Sequence, residues 1–377
     1  MNTNTNTKAF FELVRAGLWN QEDRLSQFDN IDFSEVYRLT EEQSVIGMVA
    51  AGIDHVVDVK VPQAWALQFA GQTIQLEQRN KEMNVYIADL IAKLRKENVY
   101  TILVKGQGVA QCYEKPLWRC SGDIDLFLSD ENFQRAKSYL LPLASSVEEE
   151  YVREKHLGMT IDGWAVKLHG HLYSGLSSRV ERELDKLQEG TFYGREVRSW
   201  MNGETQVFLL KAENDAFYVF THILQHFYKR GVGLRQVRDW CRLIYTYRDS
   251  LNYGLLKSRI KRAGLVSEWK AFYNLASRYL GMPDLGSGLM VHDSRFDRRA
   301  DRIMEFILKS GNMGHNRASW LMEHDSWLTR QYVVRKAFSM FRRIGDLINH
   351  ARIFPLDSLR FFPYMMFNGV GSAMRGE

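Results

Sequence analysis

The chain has 377 residues, of which 45% are hydrophobic, and a formal net charge of +5. This length suits two or three compact units, and the small positive excess permits an anionic ligand without demanding nucleic acid. No apolar run reaches the roughly 18 residues of a membrane span, and the polar N-terminus lacks the apolar core of a signal peptide. Three scattered cysteines exclude a disulfide framework and a cysteine zinc site. These features predict a cytoplasmic protein.

Residues 1–98 are predicted to form an N-terminal helical region. Phe10–Trp19 has the spacing of a short amphipathic helix. Thr40 is predicted to begin another helix, with Gln43 at the reciprocal position of a capping box. The segment Gly71–Asn98 repeats apolar residues on one helical face, so it is predicted to be a helix that packs on the next region.

Residues 99–200 are predicted to form a mixed α+β core. Its first strand is Val99–Val104, which a short helix at 108–113 follows. The second strand is Ile124–Leu128, and Ser129 caps a helix that runs to about Leu141. Further strands are predicted at 147–154, 158–161 and 164–173, with a hairpin turn at Asp162 and Gly163.

Residues 201–377 are predicted to form a C-terminal helical region, which begins at about Gln206. Its segments are rich in Leu, Phe, Tyr and Trp and are interrupted by glycine clusters. A basic stripe, Arg335-Lys336 and Arg342-Arg343, is typical of a solvated helix face, with an acidic or nucleic-acid partner as the alternative. The predicted fold class is therefore α+β, in which two helical regions flank a small mixed β-sheet.

Asp123 and Asp125 are the most informative residues of the chain. Side chains two apart on a strand share a face, and two adjacent carboxylates are tolerated where Mg²⁺ or Mn²⁺ lies between them. Upstream, Lys105 and Gly106 lead from a strand into a helix, where backbone amides and the ammonium group can bind phosphate oxygens. Asp-x-Asp alone is a weak signal, but this order of elements is much more specific.

Two other classes of nucleotide site are excluded by their motifs. The chain lacks the Gly-x-x-x-x-Gly-Lys-Ser/Thr sequence of a P-loop. The glycines Gly106 and Gly108 are followed by Gln111 where a dinucleotide-binding fingerprint needs a third glycine.

The same residues resemble a known family, the uncharacterised nucleotidyltransferases of the DNA polymerase β-like superfamily. The resemblance is carried by Leu103–Gly106, Ala110–Tyr113, Pro116, Arg119 and Gly122–Leu126, with similar flanking blocks at Glu42–Gly47 and Gly231–Trp240. It implies a small mixed sheet with helices on one side, an NTP·Mg²⁺ donor, and transfer of a nucleotidyl group. The family does not name the acceptor, which is a small molecule, a protein or a nucleic acid.

The resemblance also implies roles for individual residues. Asp123 and Asp125 would bind the metal and act in catalysis, and Arg119 would support the loop or a phosphate. The residues that would line the triphosphate are Lys105, Gly106, Ser121 and Gly122.

Lys167 departs from the family pattern. In similar sequences a carboxylate, the third metal ligand, stands two residues before a histidine; here that stretch ends in Lys167-Leu168-His169. A protonated lysine cannot bind Mg²⁺, and Asp162 lies at the predicted turn, too far to replace the missing ligand. The chain is therefore either an active Mg²⁺-dependent transferase or a nucleotide-binding or scaffolding protein that keeps the fold without the reaction.

Other polar residues have both a functional and a structural interpretation. His169, which shares a strand face with His171, is interpreted as a phosphate contact or base, or as a half-buried structural histidine. His222 and His226 have zinc-ligand spacing without a third ligand, which favours a structural role. Arg235 is interpreted as the partner of Asp239 in an intrahelical ion pair, or as a residue facing the nucleotide.

Overall fold

The computed structural model describes residues 4–152, 154–229, 231–285, 293–314, 316 and 345–363, which form one seven-stranded sheet surrounded by helices. The strands are β1 (Ile102–Val104), β2 (Ile124–Phe127), β3 (Ser146–Val147), β4 (His156–Ile161), β5 (Trp164–His169), β6 (Val197–Asn202) and β7 (Thr205–Leu210).

Helices precede the sheet, cover it and follow it. They are α1 (Thr5–Trp19), α2 (Phe33–Gln43), α3 (Ile46–Asp54), α4 (Gln63–Lys96), α5 (Gly106–Ala110), α6 (Asp130–Leu140), α7 (Ser178–Phe192), α8 (Ala212–Lys229), α9 (Leu234–Thr246), α10 (Tyr253–Ala263), α11 (Val266–Leu280), α12 (Ser294–Ser310), and α13 and α14 at residues 345–353 and 355–363. None of these described helices is long and apolar enough to cross a membrane.

The sheet is mixed, with the strand order β3-β4-β5-β2-β1-β7-β6. Near its centre, β2 pairs antiparallel with β1 and parallel with β5. The register places Asp125 directly opposite Val104 on one side and Lys167 on the other. The predicted α+β class with a mixed sheet is confirmed.

The two faces of the sheet belong to different layers. Leu103, Ile124 and Leu126 point into a core with the α4 residues Met83 and Ile87. The opposite face contributes Val104 and Phe127 to the larger core, which contains α7, α8 and α9. Helices thus cover both faces, although the family resemblance implied one. Because side chains alternate along a strand, Asp125 faces the C-terminal helices.

Several predicted elements are confirmed. The helices predicted at Phe10–Trp19 and Gly71–Asn98 correspond to α1 and to most of α4, and α4 buries the predicted apolar face. The predicted hairpin turn between β4 and β5 is formed by Asp162 and Gly163, whose φ angles are +50° and +80°. Two successive residues with positive φ are typical of a type I′ turn, which matches the twist of the strands.

The predicted capping box at Thr40 is wrong. Thr40 lies in the last turn of α2, its hydroxyl donates to the Val36 carbonyl, and the helix ends at Gln43. A threonine inside a helix satisfies its hydroxyl on the carbonyl four residues earlier, so the sequence pattern does not distinguish the two ends. The Gln43 amide instead joins two distant helices, since it accepts from the Leu234 amide and donates to the Ile307 carbonyl.

Strand boundaries also differ from the prediction. In the segment predicted as a strand at 147–154, the regular strand is only β3, and β5 ends at His169 instead of residue 173. The predicted helical start at Gln206 is wrong, because this residue lies in β7, which pairs parallel with β1. The missed signal was Gly203-Glu204, a two-residue hairpin turn between β6 and β7 with glycine, at φ +60°, in its first position.

Two predictions are not tested by these observations. The division into domains at residues 98 and 200 stays a prediction, although β6 and β7 bring residues beyond 200 into the sheet. The basic stripe at 335–343 lies outside the described residues.

Candidate functional site

A cleft of about 390 Å³ lies between the sheet and helices α8 and α9. This volume falls within the range of small-molecule sites. Of the predicted site residues, the cleft is lined by Lys105, Gly106, Arg119, Gly122, Asp123, Asp125, Lys167, His169 and Arg235. Ser121 does not line it. The tertiary fold therefore brings together residues that are separated by as much as 130 positions in the chain.

Asp125 is the buried carboxylate of the cleft, with a side chain only 3% exposed. Its Oδ1 atom lies 3.0 Å from Lys105 Nζ and 2.7 Å from His169 Nε2. Burial opposes ionisation, but the Lys105 ammonium and the His169 hydrogen bond outweigh it and hold the pKa of Asp125 well below its usual range. The group is therefore a carboxylate at neutral pH, and its charge is balanced by Lys105.

Asp123 is more accessible and is paired with Lys167. Its side chain is 38% exposed, and its Oδ2 atom lies 2.7 Å from Lys167 Nζ. Burial lowers the pKa of Lys167, but the Asp123 and Asp125 carboxylates more than compensate, so the pKa is raised and the ammonium stays charged. The Lys167 ammonium therefore balances the charge of Asp123.

The residues of the cleft that could hold a divalent cation are Asp123 and Asp125. Each uses a single oxygen for its protein contacts, so that Asp123 Oδ1 and Asp125 Oδ2 have no hydrogen-bond partner among the described residues. Oxygen atoms of carboxylates are the ligands that Mg²⁺ prefers. Lys167, at the position where the family resemblance implies a third carboxylate, instead places an ammonium group beside Asp123. In the described part of the chain, no three His, Cys, Asp or Glu side chains come together as metal ligands.

Lys105 and Gly106 form a strained turn at the end of β1. Lys105 has φ +58° and ψ −146°, close to a region that residues other than glycine rarely occupy, and Gly106 has φ +42°. Such strain persists only where neighbouring contacts hold it, and it is frequent at functional sites. Here the contact with Asp125 and the Tyr218 ring, 5.9 Å from Lys105 Nζ, hold the ammonium in the cleft.

Arg119 supports the loop before β2. Its guanidinium binds both carboxylate oxygens of Asp239, at 2.6 and 2.9 Å, and donates to the Cys120 carbonyl and to Ser121 Oγ at 2.9 Å. Tyr113 also donates its hydroxyl to Asp239. These bonds connect the loop to α9. The Ser121 hydroxyl contacts Arg119, and Ser121 does not line the cleft.

The interpretation of Arg235 and Asp239 as an intrahelical ion pair is wrong. Asp239 is engaged by Arg119, a residue 120 positions earlier in the chain. Sequence spacing predicts which side chains lie close on one helix, but a buried partner from another element forms a stronger bidentate pair. The alternative interpretation, that Arg235 faces the cleft, agrees with its position in the cleft wall.

His169 is partly buried beside Asp125. Burial lowers the pKa of His169 in spite of the favourable carboxylate, so its neutral ring donates the Nε2 proton to Asp125. The neighbouring His156, whose ring lies 4.8 Å from that of His169, has its pKa lowered to about 4 by burial and by His169 and Lys167. His171 instead bonds to Asp185, at 2.8 Å.

In the wall opposite the sheet, sequence reasoning missed Tyr218 and Gln225 and favoured a structural role for His222 and His226. Tyr218, His222 and Gln225 of α8 line the cleft, as does His226. The Nε2 atoms of His222 and His226 lie 3.2 Å apart. Burial, with Lys105 nearby, holds the pKa of His222 well below its usual range. The available signal was the polar side chains at helical spacing within an otherwise apolar helix, which marked one face of α8 as different.

A comparison with known protein families finds a match over the part of the chain that contains the cleft. Residues 29–281 match a protein-family model described as uncharacterised nucleotidyltransferase. This range covers more than half of the chain and contains every cleft residue described above. No curated protein and no solved structure matches the chain.

Proposed function

The chain belongs to the family of uncharacterised nucleotidyltransferases, and we propose that it moves a nucleotidyl group from an NTP to an acceptor with Mg²⁺, or Mn²⁺, on Asp123 and Asp125. The observation that carries this proposal is the pair of carboxylates in one cleft, each with an oxygen that no described residue engages. Lys105 and Lys167 provide positive charge beside them.

Each residue would act on the triphosphate in a different way. The metal, when bound, would neutralise phosphate charge and hold the nucleotide for displacement. Gly106, at the start of α5, lets the backbone approach the phosphates closely, and Lys105 balances their charge. Arg119 and Ser121 shape the loop that carries Asp123, because their bonds run to α9 and to each other.

A single metal is the arrangement that the side chains favour. Lys167 would take the place of a second cation, since its ammonium already neutralises Asp123. It would not lower the pKa of an acceptor hydroxyl as a second metal would. The acceptor, a small molecule, a protein or a nucleic acid, would therefore need another group to receive its proton.

The second candidate is a nucleotide-binding protein that keeps the fold without transfer. The Lys167–Asp123 ion pair favours it, because it occupies one of the two carboxylates. The two candidates differ in one product: the transferase releases pyrophosphate in the presence of its acceptor, whereas the binding protein releases none. For either candidate we propose the cytoplasm as the location, where Cys112, Cys120 and Cys241 would remain the free thiols that they are here.

The test is Mg²⁺-dependent binding of an NTP, measured by calorimetry. Asp123→Asn combined with Asp125→Asn should abolish it while circular dichroism shows an intact fold. Because Asp125 is buried against Lys105, Asp123→Asn alone provides a milder variant that leaves that pair intact. The control combines Asp89→Asn and Asp130→Asn, which change two exposed aspartates outside the cleft. Unchanged NTP binding in the variant that combines Asp123→Asn and Asp125→Asn would refute the proposal.

A further inference from the structure

The basic side chains of the cleft differ in whether another group of the protein accepts their hydrogen bonds. Five lysine and arginine side chains line it. Four have an acceptor: Lys105 with Asp125, Lys167 with Asp123, Arg119 with Asp239, and Lys229 with the Ser174 carbonyl. Arg235 is the exception, because within the described ranges no residue forms an ion pair or a hydrogen bond with its guanidinium.

Arg235 lies where its positive charge is partly buried and is not balanced by a bound carboxylate of the described residues. It lies in the first turn of α9, in the wall of the cleft, and is partly buried. Burial and the nearby Arg119 lower the pKa of Arg235, and the Asp239 and Asp123 carboxylates compensate only in part. Asp239, one turn further along, is bound by Arg119 through both of its oxygens and by the Tyr113 hydroxyl, and among the described residues it forms no ion pair with Arg235.

An anion bound in the cleft would balance the positive charge of Arg235. The planar guanidinium can donate two parallel hydrogen bonds to a phosphate or a carboxylate, and such bonds are stronger in a partly dehydrated site. The N-terminal end of α9 adds a weaker positive potential at the same place. Both features favour the same class of ligand, an oxyanion.

We propose that Arg235 binds a phosphate group of the nucleotide, so that α9 completes the phosphate site that Lys105 and Gly106 begin on the sheet. This inference rests on the proposed function. It assigns the C-terminal helices a direct part in binding the donor. An anionic group on the acceptor is the other source of the same chemistry, and the experiment separates the two.

The experiment measures the binding of ATP, ADP, AMP and adenosine to the full chain in Mg²⁺. Arg235→Gln should weaken ATP binding about tenfold, since a charge-assisted hydrogen bond is lost, and leave adenosine binding unchanged. Arg235→Lys, which keeps the charge but loses the fork, should lie between. Arg182→Gln, on an exposed residue of α7 that does not line the cleft, is the matched control.

Thermal unfolding separates binding from folding. Without ligand, Arg235→Gln should unfold at the same temperature as the wild type or higher, because the protein loses a charge that it does not balance. With ATP, the stabilisation should be smaller than in the wild type. Equal ATP affinity in the two proteins overturns the inference.

A failure of the proposed function would give a different experimental result from a failure of the Arg235 inference. If the wild type binds no nucleotide, inorganic pyrophosphate becomes the probe. Binding of pyrophosphate that Arg235→Gln weakens would support the anion site and reject the transferase. Pyrophosphate binding that is absent, or that does not depend on Arg235, would overturn both.

Discussion

Replacing Lys167 by glutamate should increase the affinity of the cleft for a divalent cation, because it removes the ammonium group that neutralises Asp123 and adds a carboxylate. In the wild type, a cation that binds Asp123 competes with the Lys167 ammonium group, which lies 2.7 Å from Oδ2 of the same carboxylate. Lys167 lies opposite Asp125 in the β2–β5 register, so a glutamate there places a third carboxylate beside the other two. The substitution is tolerable for the fold because Lys167 is already 31% exposed.

The magnitude follows from how exposed the ion pair is. Asp123 is 38% exposed, so the pair contributes about 0.5–1 kcal/mol, as solvated pairs do. Lys167→Gln removes the ammonium group that competes with the cation for Asp123, so it should raise Mn²⁺ affinity about two- to fivefold. Lys167→Glu also adds a negative charge near the cation, worth roughly another 1–2 kcal/mol in a partly solvated site. The combined gain should be about 10- to 100-fold.

Mn²⁺ binding can be followed by electron paramagnetic resonance of the free ion, without nucleotide. Lys93→Gln is the matched control, because Lys93 and Asp89 form a pair of the same length, 2.7 Å, on the exposed face of α4. That variant changes the net charge by the same amount as Lys167→Gln but should leave Mn²⁺ affinity unchanged. If Lys167→Gln and Lys167→Glu bind Mn²⁺ no better than the wild type, the reasoning that Lys167 competes with the metal is wrong.

Three further outcomes are expected. Asp239→Asn should destabilise the fold by about 3–5 kcal/mol in urea unfolding, because it leaves the buried Arg119 charge without its partner; a loss below 1 kcal/mol would contradict this role. Burial and the nearby Asp357 raise the pKa of Glu268 to about 8, so its contribution to stability is complete below pH 4 and is lost as the pH rises toward 8. Glu268→Gln should therefore raise the melting temperature at pH 8 but not at pH 4, and equal shifts at both would exclude Glu268 as the cause. Gly106→Ala should cost about 1–2 kcal/mol because of its positive φ, and it should weaken NTP binding, whereas unchanged calorimetric affinity would argue against close backbone contact with phosphate.

Part of the fold was accessible from local patterns. The apolar face of α4 repeats at the helical period over several turns, and the Asp162-Gly163 turn has a strong hairpin signature. Each of these signals depends on neighbours in the chain. The β6–β7 hairpin was missed although its strands are as long as β4 and β5, because β7 leads almost directly into α8. Its place beside β1 depends on a parallel pairing of distant residues, which no local pattern specifies.

The sequence by itself determined the chemistry of the sheet side of the cleft. Asp123, Asp125 and Lys105 were identified because residue type and spacing along short strands limit where side chains point, and Lys167 was identified because it departs from the pattern of the family that the chain resembles. The tertiary structure alone decided their partners: Lys167 with Asp123, Lys105 with Asp125, and Arg119 with Asp239. It also decided that Arg235 faces the cleft without a partner among the described residues. Ion pairing between distant elements depends on burial and on the packing of α9 against the loop before β2, and these are properties of the assembled fold.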